Sequence, residues 1–409
     1  MPLIKADVLC DGSRYILRLA QERYLPIGSQ GSSASVWHLP VCIRYDDGKS
    51  IRRSCVMLDR PVADFPLAGA RACPRWLFVD DGATGYYRFT YEGGWFERML
   101  DNARDSLNLR EKVGLINDVR ALVDAGRIDA ALGLSLALRL NDSPQIQIVT
   151  ATQGLVAGMS RFMPDEMRPN WARFVRAWLG QRARAMGWQP RPDESEDQRQ
   201  IRLAVVPFVA IDGEDTELGA EALRLARAWL RDRKAIDPDT VVVVVAAARH
   251  GDRAFFDDLL AGLKTAKDRQ DRAVIIMALG SFREPEIERD ALGMIIQEGL
   301  EHRELSSLLF LPWQDTRPIV WTFVRENFDR LNALMPGARG IPFGATLPGV
   351  AGGFCDEPHL LEVEGFFKPL IGNLSGGERN LAKTLESIRL CIACRQALGQ
   401  SMIAFLSKY

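Results

Sequence analysis

The sequence predicts a chain in two parts: a small antiparallel β-sandwich, then an α-solenoid of the HEAT or armadillo kind. Three observations predict it. Up to about residue 91, short alternating segments are divided by tight turns, the period of half-buried strands. From Trp95 the apolar period becomes helical and stays so to the end. Helix-turn-helix units then recur at roughly 30 to 40 residues, the interval of stacked helical repeats. The expected domains are therefore residues 1–91 and 92–409.

Ile4, Ala6 and Val8 alternate with polar or small positions, and Asp11-Gly12 reads as a two-residue turn of type I′. Tyr15, Leu17 and Leu19 continue the alternation against Arg14 and Arg18. Val36–Tyr45 and Ile51–Leu58 form the next pair around Asp46-Asp47-Gly48. Trp76–Val79, a polar turn over Asp80–Gly85, and Tyr86–Tyr91 read as a closing hairpin, released into the first helix by Gly93-Gly94.

The clearest helix covers Leu109 to Ala125. Asn108 and Glu111 have capping-box spacing, and Leu109, Val113, Ile116, Val119 and Val123 make one apolar stripe. Further helices are expected over Asp129–Leu140, Pro144–Phe162 and Asp165–Met186. Beyond a charged loop at Gln189–Gln200 they continue over Glu217–Arg231, Pro238–His250, Asp252–Lys264 and Gln270–Leu279, with another opening at Pro285. Pro336–Gly353 reads as an ordered loop and Gly377–Leu398 as the last helix.

Composition excludes some functions. A net charge of −1 over 409 residues lacks the basic excess that nucleic acid demands. The longest apolar run, Val241–Ala248, is too short to cross a membrane. MPLIKADVLC does not have the pattern of a signal peptide. Seven cysteines, an odd number scattered from Cys10 to Cys394, argue against a disulfide framework and for a reducing cytoplasmic setting.

No motif on the chain carries self-contained chemistry. His-Glu-x-x-His is absent, and His38, His250, His302 and His359 all stand far apart. Cys391 and Cys394 form Cys-x-x-Cys, but deep in a helix beside Leu390 and Ile392, where packing is expected and not redox chemistry. LSGGE at Leu374–Glu378 imitates a transport-ATPase signature without the P-loop it works against, and reads as a helix start. The residues alone therefore predict a β-sandwich plus helical repeats with no catalytic site and no metal site.

The order of segments resembles the C-terminal half of the zinc aminopeptidases of the alanyl and puromycin-sensitive type, a gluzincin family. The segments that carry the resemblance are PLIKADVL, LRLAQERYL, VWHLPVCI, WLFVDDGATGYYRFTY with Trp95, LREKVGLINDVRALVDAGRI and MGWQPRPDE. Weaker ones are HGDRAFFDDLL, WTFVRENFDRL, LLEVEGFF and GGERNLAKTLESI, all in family order. One departure is that the chain lacks, between Gln314-Asp315 and Trp321, a helix that many relatives have. The resemblance implies a sandwich that bridges to a catalytic domain, and a helical domain that encloses the peptide chamber. The family's zinc ligands, catalytic glutamate and transition-state tyrosine lie upstream of residue 1. The chain is thus expected to hold no cofactor, zinc belonging to the missing catalytic domain. Its expected partners are that domain, in cis or in trans, and short peptides, with no nucleic acid and no membrane. Tyr86-Tyr87-Arg88 is expected to be structural, and substrate-contacting residues stay unassigned. The alternative is a stand-alone helical-repeat scaffold for a protein or peptide partner.

Overall fold

The computed structural model describes every residue except 68, 104–105, 298–300, 311–312, 336, 338–339 and 373. It divides into two compact units, Met1–Met159 and Ser160–Tyr409.

Among its described residues the first unit holds seven strands: β1 (Pro2–Asp11), β2 (Arg14–Arg23), β3 (Leu39–Asp46), β4 (Ile51–Leu58), β5 (Val62–Pro66), β6 (Trp76–Phe78) and β7 (Arg88–Tyr91). They form a four-stranded sheet in the order β5-β2-β1-β7 and a three-stranded sheet in the order β4-β3-β6. Ile4, Ala6, Val8, Leu17 and Leu19 of the first sheet and Val41, Ile43 and Tyr45 of the second are buried, as the alternation requires. The β1–β2 loop sits one residue later than expected. Asp11 pairs with Arg14, so Gly12-Ser13 makes the turn, and only Gly12 has positive φ.

The expected closing hairpin does not exist. β6 pairs with β3 in one sheet, whereas β7 runs parallel to β1 in the other. The polar turn is closed by Asp80, whose Oδ1 accepts from the backbone N–H of Thr84 and of Gly85. Across the sheets, the rings of Phe78 and Phe89 meet edge to face with centroids 5.4 Å apart, and the Tyr91 hydroxyl donates to the Leu77 carbonyl. The apolar positions on both sides of the turn are identical in character, so local chemistry could not tell one sheet from two.

Four helices follow in the same unit: α1 (Trp95–Asn102), α2 (Leu109–Asp124), α3 (Ala130–Arg139) and α4 (Ile146–Ser160). Gly94, with φ of 76°, is the N-cap of α1. The Asn108/Glu111 capping box is formed, but Glu111 does more than cap. One of its oxygens accepts from Arg44 Nη2 on β3 at 2.6 Å and the other from the Gly82 N–H at 2.7 Å. Arg88 of β7 pairs with Asp118 of α2, and the Tyr24 hydroxyl donates to the Ala121 carbonyl. These bonds fasten α2 to the sheets, which is why the compact unit extends beyond the last strand.

The second unit is helical. α5 (Arg168–Val175) passes through a π turn at Arg176–Gly180 into α6 (Gln181–Met186). There follow α7 (Glu196–Ile211), α8 (Thr216–Arg231), α9 (Val243–Arg249), α10 (Arg253–Thr265), α11 (Arg269–Leu279) and α12 (Pro285–Gly293). Short α13 (His302–Leu305) precedes α14 (Arg317–Leu334), α15 (Glu357–Ile371) and α16 (Gly377–Leu406). α9 packs against both α7 and α11, and α10 against α8, so alternate helices stack in separate layers. The apolar run that begins at Val241 becomes α9, where Val243 to Arg249 are all buried.

Three boundaries differ from expectation. The charged loop ends at Ser195, whose side chain makes a capping box with Gln198 and starts α7 five residues early. The loop is held at both ends: Trp188, just before it, donates its indole N–H to the Leu218 carbonyl, and Glu194 within it pairs with buried Arg202 of α7 at 2.8 Å. The last helix continues to Leu406. In the stretch read as an ordered loop, Phe343–Ala351 is a 3₁₀ helix, while Pro336, Ala338 and Arg339 lie outside the described residues.

The cysteines overturn their expectation. Cys10 is bonded to Cys73, Cys42 to Cys55, and Cys355 to Cys391; Cys394, buried, stands outside these pairs. An odd count conceals three pairs when one thiol is left over, and two of the pairs join residues 63 and 36 positions apart that only the folded chain brings together. With three pairs bonded, the cysteines no longer point to a reducing setting. After denaturation without reductant, a quantitative alkylating reagent is expected to label one cysteine of the seven. Labelling of all seven would remove the disulfides from the structure.

Candidate functional site

The second unit concentrates charge where four successive corners between helices turn. The α7–α8 corner supplies Asp212 and Glu214, the end of α9 Arg249 and His250, the α11–α12 corner Arg283, and the residues before α14 supply Asp315; Arg168 joins them from the start of α5. Arg283 Nη1 contacts Glu214 Oε1 at 2.9 Å, and Arg249 Nη2 contacts Asp315 Oδ2 at 2.6 Å. Among the described residues the ion pairs of Arg168 are long, 3.5 Å to Glu214 and 3.9 Å to Asp315. Arg249 also donates to the Ser281 carbonyl and lies over the Trp313 ring at 4.6 Å.

Several features mark this corner row as more than packing. Glu214 has φ of 49°, a conformation costly for a side chain with a Cβ and common at functional positions. The π turn in the helix opposite brings Arg176 to donate to the Gly213 carbonyl. Buried Nε atoms of Arg249 and Arg283, Nε1 of Trp313 and Oγ1 of Thr316 have no hydrogen-bond partner among the described residues. Burial raises the half-buried Asp212 to about 6, against the pull of Arg168, Arg249 and Arg283. On α12, Glu288 is buried with Oε2 unpartnered, and desolvation pushes it up to about 8 despite Arg249 nearby.

His250 belongs to this row through its ring. Nε2 meets the Ala210 carbonyl at 2.7 Å, and burial lowers its pKa, so the neutral imidazole donates there. Gly219 of α8 makes room for it, since a Cβ at that position would lie 2.4 Å from the ring. The arrangement offers guanidinium donors and carboxylate acceptors for polar ligand groups. In the first unit a separate cavity of about 660 Å³ has an apolar floor of Met99, Leu107, Leu115 and Leu136 and a rim that includes Lys112 and Arg139.

The residues weighed from sequence are not brought together. His302 Nδ1 faces the Ile295 carbonyl, and His359 stacks on Phe354 while bonding Asp356, the N-cap of α15. Ser375–Glu378 starts the last helix, with Gly376 as N-cap. In Tyr86-Tyr87-Arg88, Tyr86 is exposed, Tyr87 is buried, and Arg88 is spent on Asp118. Among the described residues no group of three or more His, Cys, Asp and Glu is placed to hold a metal ion. Nor is any helix among them long and apolar enough to cross a membrane. Sequence reading missed the charged row, although one signal was available: charged residues recur at corners spaced by one helix pair.

The comparisons with known proteins agree with the order of segments. The chain is 22% identical over 406 residues to a puromycin-sensitive aminopeptidase of Caenorhabditis elegans, covering 95% of this chain and 42% of that protein. It is 24% identical over 417 residues to aminopeptidase M1 of Arabidopsis thaliana, covering 95% and 45%. With endoplasmic reticulum aminopeptidase 2 of Bos taurus it shares 22% over 376 residues, 87% and 38%. The chain thus spans less than half the length of these relatives. The model of the ERAP1-like C-terminal domain matches residues 76–390, beginning at β6. Since that match takes in most of the 409 residues, the chain belongs to the family of ERAP1-like C-terminal domains.

Proposed function

We propose that this chain is the non-catalytic C-terminal region of a zinc aminopeptidase, serving removal of N-terminal amino acids by a catalytic domain in cis or in trans. One observation carries the reading: nearly the whole chain aligns with aminopeptidases while filling under half of each. In family terms the two sheets are the bridging sandwich, residues 1–91, and the stacked helices from residue 92 are the repeat domain that encloses the peptide. An enclosing wall suits this chemistry, since it excludes folded chains and water while admitting short peptides. The charged corner row is its best candidate for meeting a peptide's polar groups. Three disulfides favour an oxidising compartment over the cytoplasm.

The purified chain is expected to release no product from aminoacyl chromogenic substrates, with or without added zinc. Adding a catalytic half from a relative is expected to restore cleavage of short peptides, and Arg168→Ala to raise KM in that mixture with kcat unchanged. Metal-dependent cleavage by the chain alone would overturn the reading. A catalytic half that neither binds the chain nor responds to it would favour the stand-alone scaffold.

A further inference from the structure

The sheets of the first unit end in the edge strands β5 and β7 and the edge strands β4 and β6. An open strand edge is a row of unpaired N–H and C=O groups, which proteins normally blunt or cover. Three of these edges are so treated. α1 packs against β6 and α2 against β7. β5 is five residues long, follows Pro61 and ends at Pro66. β4 (IRRSCVML) is different: it has eight residues, without proline, glycine, lysine or an acid. It pairs with β3 residue for residue, so no bulge bends it away.

The pairing fixes where its backbone groups point. On β3 the Cys42 and Asp46 carbonyls accept from the N–H groups of Asp81 and Arg75, on the side where β6 lies. Residues directly opposite in an antiparallel pair either bond each other or both turn their groups away. Cys55 stands opposite Cys42 and Ile51 opposite Asp46, so both turn away from β3. Arg53 and Met57 follow at the period of two. Among the described residues no backbone group outside the sheet bonds those of Arg53, Cys55 or Met57. Their side chains are exposed, while Val56 on the other face is half-buried. The loop after β5 crowds the start of the strand: Arg52 lies against Gly69, and Asp47 accepts from Arg52 and from the Arg71 N–H. The open stretch is therefore Arg53 onward, reaching Asp59 just past the strand.

We propose that this edge pairs with the same edge of a second copy of the chain, antiparallel about a two-fold axis at Val56. Arg53 then stands opposite Asp59 of the second copy, and Cys55 opposite its Met57, each pair exchanging two backbone hydrogen bonds. The axis repeats both pairs. Charge selects this register. Asp81 is shared between Arg53 and Arg44, which leaves Arg53 attraction for a second carboxylate, and Asp59 is exposed. On the core side Val56 meets its own copy in a non-hydrogen-bonded pair, where β-branched side chains approach closely. The pairing doubles the three-stranded sheet, and the two-fold axis closes it against further addition. This inference does not depend on the aminopeptidase reading, because it needs only the fold of the first unit.

Sedimentation of the intact chain from about 1 to about 500 µM is expected to show a reversible monomer–dimer equilibrium, weak because one strand pair buries little area. Hydrogen exchange locates it. In the monomer the outward amides of Cys55 and Met57 should exchange fast, and those of Ser54 and Val56, turned towards β3, slowly. At high concentration Cys55 and Met57 should slow several-fold. Met57→Pro removes one outward donor and spares the ladder to β3, and should weaken the dimer by roughly tenfold or more. Asp59→Arg should weaken it too, and Arg53→Glu added to Asp59→Arg should restore it. A chain that stays monomeric up to about 500 µM overturns the proposal. So does a dimer whose outward amides exchange as fast as the monomer's, a measurement that needs no variant to fold.

Discussion

Glu288→Gln is expected to raise stability by under about 1 kcal/mol at pH 5 and by about 5 kcal/mol at pH 9. Glu288 is 1% exposed, no hydrogen bond reaches its Oε2, and burial lifts it from an ordinary 4.5 to about 8. A carboxyl raised on folding binds its proton more tightly in the folded chain than in the unfolded one. Its penalty is therefore absent below pH 4.5, grows as pH rises towards 8, and is constant above that. The charged groups that face it are Arg249 and Asp315. Arg249 is already committed to Asp315, the Ser281 carbonyl and the Trp313 ring, so it offers the ionised carboxylate little. Glutamine copies the neutral acid in shape and removes the titration. Comparing the variant with the natural chain by urea denaturation at each pH cancels the other raised acids, Asp118 at about 7 and Asp212 at about 6. A difference that is the same at pH 5 and pH 9 would rule out a buried, uncompensated Glu288.

Glu111→Ala is expected to destabilise the first unit by about 3–5 kcal/mol, the cost of removing one partner of a buried ion pair. Glu111 is completely buried and serves three donors at once: Arg44 of β3, the Gly82 N–H in the turn after β6, and its own N-cap N–H at Asn108. Without it Arg44 keeps Asp81 and the Ser106 carbonyl, but its Nε is already unpartnered. The guanidinium would be left underpaired in a buried place, which costs more than the lost cap. Replacing Arg44 and Glu111 together with methionine and leucine should recover part of the loss. Limited proteolysis separates the units: cleavage of the first unit should accelerate while fragments of the second persist. A loss under about 1 kcal/mol would reduce Glu111 to an ordinary cap.

Much of the secondary structure was legible because it is written locally. The Asn108/Glu111 spacing, the stripe from Leu109 to Val123 and the alternation of Leu17 and Leu19 each depend on neighbours within one turn or one pleat. The α7 start was missed although Ser195 and Gln198 have the same spacing, because the dense charge around them reads as solvent-facing loop. The charged corner row was hardly legible. Its members come from separate corners, and their meaning depends on distances that no local window contains.

The sequence by itself determined the order of strands then helices, the absence of a local catalytic motif and the family resemblance, since all three follow from local period and segment order. Tertiary structure alone decided which sheet each arm of Trp76–Tyr91 joins, the parallel pairing of β7 with β1, and the extension of the first compact unit to Met159. It also decided that six of seven cysteines are bonded and that Glu111 joins a helix start to a strand and a turn. The physical reason is common to all of these. Each is a long-range choice between partners of equal local chemistry, and only the geometry of the packed chain makes one of them near.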